Sequence, residues 1–154
     1  MSQKKFSYIR SLSNLHTVFL GGQCVLAFIL AGLVYFGHLV PYPYKGISGT
    51  VAFFGAAVSV FCRLGSQYLY KSRISKIRDN DQTLQKKLGQ YMSANLQRWV
   101  IMEFAILCCM ILIYLSGNWV LILITLLMIG LFLGMRPGTS KTISELEIDV
   151  AAFT

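Results

Sequence analysis

Four apolar runs, at about 15–40, 47–70, 99–116 and 119–135, are separated by short polar breaks everywhere except between the second and third, where residues 71–98 form one long polar passage. In the first run only His16, Thr17, Gln23 and His38 interrupt the apolar character. At about 1.5 Å of rise per residue it makes about 39 Å of helix, enough to cross a bilayer core of about 30 Å with tilt. The third and fourth runs make only about 26 Å each, so they are expected to stand upright. Pro41 and Pro43, interleaved with Tyr42 and Tyr44, break the chain after the first run, as a tight loop at the headgroup level would. Gly117-Asn118 alone joins the third run to the fourth, and Arg136-Pro137-Gly138 stops the fourth. The pattern predicts an all-α protein: a four-helix transmembrane bundle of two helical hairpins joined by a basic helical bridge, forming a single membrane domain.

Within the bridge, Ile74, Ile77, Leu84, Leu88, Tyr91, Met92 and Leu96 recur at helical intervals on an otherwise wet segment. Span two is therefore expected to continue to about Arg78, turn at Asp79-Asn80-Asp81 with Asp81 as the cap, and re-enter a helix running into span three. The tail at 136–154 places Ile143, Leu146, Ile148 and Val150 where they would face the bridge, as either helix or strand.

Composition agrees: 55% of residues are hydrophobic, 13% are charged and the mean hydropathy is +0.60, whereas soluble domains carry roughly a quarter charged residues. A net charge of +8 would suggest nucleic acid on a soluble domain. Here the basic residues flank apolar runs, which is topology-setting charge and not a nucleic-acid surface. Lys4, Lys5 and Arg10 precede span one, eight lysines and arginines lie from Arg63 to Arg98, two follow span four, and only Lys45 lies in the opposite loops. Both termini and the bridge are thus expected in the cytoplasm, with the short lead-in before residue 15 outside the membrane. The four cysteines fall inside apolar runs and imply no disulfide framework. The first run ends at Phe36-Gly37-His38 without a small-residue cleavage pattern and reads as a retained span.

Glu103 is the one acid inside an expected span, and such a group costs roughly 3 kcal/mol or more at mid-bilayer. It lies near the bridge end of span three, at nearly the depth of Arg63 in span two, its expected partner. His16, Gln23 and Gln67 descend to the same half, giving a polar layer that either locks the bundle or forms an ion or proton site. Trp99 and Trp119 are expected at opposite interfaces. Cys108, Cys109 and Met110, with Met102, are donors that suit monovalent copper, but adjacent helical cysteines diverge by about 100° and no second thiol pair exists. Small-residue pairs Ala27/Ala31, Ala52/Ala56, Gly55/Ser59 and Gly130/Gly134 allow close helix contact, within the bundle or with a partner or second copy. No nucleophile elbow, phosphate loop or cofactor motif occurs, so no catalysis, cofactor or resident metal is expected.

Through His16 with Gly22-Gln23, Glu103, Gly117-Asn118 and Arg136-Pro137, the chain is similar to a family of small, uncharacterised four-span proteins of bacterial inner membranes. The resemblance implies a fold and a membrane and assigns no activity. A looser likeness is to the proteolipid rotor subunits of rotary ATPases, from which the chain departs in its long bridge, its lack of a glycine repeat and the position of its acid. Two function classes follow: a non-enzymatic accessory or assembly subunit acting through protein and lipid contacts, including anionic headgroups beside the bridge, and a small carrier or channel using Glu103.

Overall fold

The computed structural model describes residues 2–37, 48–80 and 82–147, with side chains from residue 9 in the first stretch and residue 49 in the second. The described residues are helical with no strand: α1 (Ser2–Tyr35), α2 (Ser48–Arg78), α3 (Leu84–Ser116), α4 (Trp119–Leu133) and α5 (Thr139–Leu146). Three of them, α1, α2 and α3, are long and apolar enough to cross a membrane. The fourth apolar helix is shorter than the run predicted, because Gly134 and Met135 leave it in a turn ahead of Pro137. Its 15 residues make about 22 Å.

α3 is the axis of the bundle, in contact with α1, α2 and α4. Of its most apolar stretch 39% is buried inside the protein, against 22% in α1 and 17% in α2. α2 lies along it in the broadest contact of the fold, and α1 packs on α3 and α4. The proline-containing loop between α1 and α2 lies outside the described residues.

α1 buries a single seam: Ile9, Leu12, His16, Gln23, Ala27, Leu30 and Val34. The steps of three, four and seven keep that stripe on one side of the helix. Because Ile9 and Leu12 continue it, the polar lead-in is part of α1 and not a separate tether. Ser13 Oγ accepts from Arg136 Nε at 3.2 Å, tying this end of α1 to the chain just beyond α4. Outward, Phe28, Phe53, Phe61, Leu123 and Leu127 are each more than 60% exposed. So broad an apolar exterior marks a surface made for lipid or another protein.

Two connections follow from their residues. Gly117 adopts φ 59°, a left-handed conformation costly for a side chain, and its N–H closes α3 on the Ile113 carbonyl at 2.8 Å. Asn118 then caps α4 by accepting from the Val120 N–H at 2.9 Å. At the bridge, α2 ends at Arg78 as expected, whereas the residue capping α3 is Thr83, without a side-chain bond. Asp81, the expected cap, lies outside the described residues. The tail resolves as a helix: α5 buries Thr142 and Leu146 against α2, with Ile143 partly buried. Ile148 and Val150 lie outside the described residues.

Candidate functional site

Two polar sites lie on this frame. The first is inside the bundle. Gln23 on α1 donates from Nε2 to Glu103 Oε2 on α3. Gln23 is almost wholly buried and Glu103 half-buried, so the bond holds a carboxyl group at the α1/α3 seam. His16, one seam position nearer the bridge end, is 1% exposed. Its Nε2 donates to the Phe132 carbonyl on α4 at 3.0 Å. That carbonyl also accepts from the Met135 N–H at 2.9 Å, as the last turn of a helix allows. The imidazole stacks on Phe132 with ring centres 4.7 Å apart and meets Trp99 at 5.0 Å.

The expected Arg63–Glu103 pair does not form. Among the described residues the ion pairs are those of Arg78 with Asp79 and Glu147. Depth is not the reason. Ser59 touches Cys109 and Tyr70 touches Arg98, a register that sets Arg63 opposite the stretch at 102–105. Azimuth is the reason: Glu103 turns to α1, while Arg63 lines a cavity of about 220 Å³ between α2 and α4, and its Nη1 is buried without a hydrogen-bond partner. Gln67 is apart from Glu103 too, in a cleft at the bridge end. The expected layer of five therefore divides into Gln23–Glu103, His16 on its own carbonyl, and Arg63 and Gln67 elsewhere.

Trp99 also departs from expectation. It is 1% exposed and enclosed by His16 and Phe132, so it belongs to the core, while Trp119 is half exposed. Of the small-residue pairs, Gly55/Ser59 is the close contact. A Cβ on Gly55 would stand 2.5 Å from Leu121 Cδ2 and 3.8 Å from Cys109 Sγ. Ser59 Oγ donates to the Gly55 carbonyl at 2.8 Å and lies 3.3 Å from Cys109 Sγ. Ala52 and Ala56 are partly buried, and Ala27 and Ala31 pack into the core. Gly130 and Gly134 face outward and bring no helix close. Among the described residues no three His, Cys, Asp or Glu side chains converge as metal ligands would.

The second site sits where α5 folds back on the bridge. Tyr70 on α2 and Tyr91 on α3 both donate to Glu145 Oε2, at 2.5 and 2.8 Å. The Arg98 guanidinium lies 4.5 Å from the centre of the Tyr70 ring. Arg78 Nη1 meets Glu147 Oε1 at 2.8 Å, fixing the end of α5 to the end of α2. None of Tyr70, Tyr91, Arg98 and Glu145 stands out as a site from sequence; the signal was confined to Tyr91 on the apolar face of the bridge and to the tail's apolar residues directed at it.

No protein-family model, no curated protein and no solved structure matches this chain. Its two sites rest on their own geometry.

Proposed function

We propose that this chain is a four-span protein of a bacterial inner membrane, two hairpins joined by the bridge, and serves as a non-enzymatic accessory or assembly subunit acting through protein and lipid contacts. The observation that carries the proposal is the Gln23–Glu103 bond: the one acid of the spans is engaged by a neighbouring helix, as a latch in the bundle would be. The apolar exterior leaves room for a partner in the bilayer. For the fourth span, α4 with its closing turn makes about 26 Å between Trp119 and Arg136, residue types suited to the two interfaces.

The test is capture of the full chain in a mild detergent followed by mass spectrometry. A stable partner or a homo-oligomer is expected, and a chain recovered alone as a monomer overturns the proposal. Glu103→Gln, which keeps a hydrogen-bonding group, is expected to leave folded yield and capture unchanged. A second reading, a small proton- or ion-coupled carrier, draws on the fact that Glu103 carries no ion pair among the described residues. It requires flux into proteoliposomes that Glu103→Gln abolishes.

A further inference from the structure

The fold of α5 onto the paired ends of α2 and α3 encloses a cleft of about 440 Å³. Lys71 and Arg78 from α2, Arg98 from α3 and Lys141 from α5 line it, against one carboxylate, Glu145. One oxygen of that carboxylate is taken by two tyrosine hydroxyls. Arg78 is matched by Asp79 and Glu147. Arg98 lacks a direct acid contact: it is only 9% exposed, it lies over the Tyr70 ring with the Glu145 carboxylate acting on it only at longer range, its Nε is buried without a hydrogen-bond partner, and among the described residues no acid forms an ion pair with it. A buried charge is costly unless paired, and a guanidinium fork suits the oxygens of a phosphate. Arg98 immediately precedes Trp99, where α3 turns apolar, so with α3 crossing the membrane as proposed the cleft would open beside the headgroups.

We propose that this cleft binds a phosphate-bearing anion, with Arg98 as its buried anchor and Lys71 and Lys141 as rim charges. The proposal deepens the lipid-contact half of the proposed function and rests on it for the placement in the membrane. The phosphate comes either from an anionic phospholipid headgroup or from a soluble phosphate, which the test separates.

The purified full chain in a non-ionic detergent is titrated with short-chain phosphatidylglycerol, with phosphatidylcholine, and with sodium phosphate against sodium chloride at equal ionic strength. Lipid adducts are counted by native mass spectrometry and the thermal midpoint is followed. Phosphatidylglycerol bound at about one per chain, in preference to phosphatidylcholine, assigns the headgroup; stabilisation by sodium phosphate that displaces the lipid assigns a soluble source. Lys71→Gln and Lys141→Gln are each expected to weaken binding roughly fivefold, the effect of about one surface charge. Arg98→Gln is expected to abolish it, and where that variant does not fold the two lysine variants decide. Arg73→Gln and Lys86→Gln, outside the cleft, are expected to change nothing. Equal weakening by these controls, or no preference for either anion, overturns the proposal. Partner capture from the same preparation separates the outcomes: lost anion binding with an intact partner sinks the cleft alone, and the reverse sinks the subunit proposal alone.

Discussion

At the scale of single residues, the interior polar groups work as cross-links. Removing one end of the Gln23–Glu103 bond leaves the other without its partner. A double-mutant cycle with Gln23→Leu and Glu103→Leu is expected to give a coupling of roughly 1 kcal/mol, within the range of hydrogen bonds between membrane helices, read from unfolding in mixed micelles. A coupling near zero would mean that the bond does not hold α1 to α3. His16→Ala opens a hole between Trp99 and Phe132 and loses the bond to the Phe132 carbonyl, and a loss of about 2–4 kcal/mol is expected by the same measurement. Gly55 and Gly130 make a matched pair: Gly55→Leu is expected to cost about 1–3 kcal/mol because Leu121 already occupies the space, whereas Gly130→Leu faces outward and is expected to be neutral in the isolated chain. Small residues at a spacing of four did not reveal which pair was close. Their identity is local, but the helix that meets them is not.

At the scale of elements, α5 is the piece most dependent on its neighbours. Its eight residues are too few to be stable alone, so its helix exists because Thr142 and Leu146 are buried and Glu145 is held by Tyr70 and Tyr91. Glu145→Ala is expected to speed amide exchange at 139–146 at least tenfold while α3 at 99–113 stays protected, measured by hydrogen–deuterium exchange. Equal protection in the variant would place the stability of α5 elsewhere. The helical bridge was legible because its apolar residues recur at helical intervals, and the end of α2 at Arg78 followed from the Asp79-Asn80-Asp81 break expected in the sequence. The tail was not legible, because Ile143 and Leu146 stand three apart, as on a helix face, whereas Leu146, Ile148 and Val150 alternate, as on a strand face, and the choice waits on the surface that α2 supplies.

For the whole molecule, the arrangement proposed here puts the Gly117-Asn118 turn outside and the bridge in the cytoplasm. In a chain whose native cysteines are replaced, Asn118→Cys is expected to react with a membrane-impermeant maleimide on intact cells and Lys86→Cys only after permeabilisation. The opposite labelling would reverse the orientation, and labelling of both from one side would remove α3 as a span. The apolar exterior and the central position of α3 make the same demand from two directions: α3 is buried by its neighbours, and those neighbours need lipid or a partner around them.

The sequence by itself determined the helical class, the apolar runs that α1 to α4 carry, the tight glycine-asparagine turn and the helical bridge, because hydropathy, helical period and cap chemistry are properties of neighbouring residues. It also brought Arg63 and Glu103 to one depth, since rise along a helix is fixed. Only the tertiary structure decided which way each side chain turned. Rotation about a helix axis is set by the packing of all its neighbours, and that rotation gave Glu103 to Gln23, left Arg63 toward α4, enclosed Trp99, and brought Tyr70, Tyr91, Arg98 and Glu145 together from three separate helices.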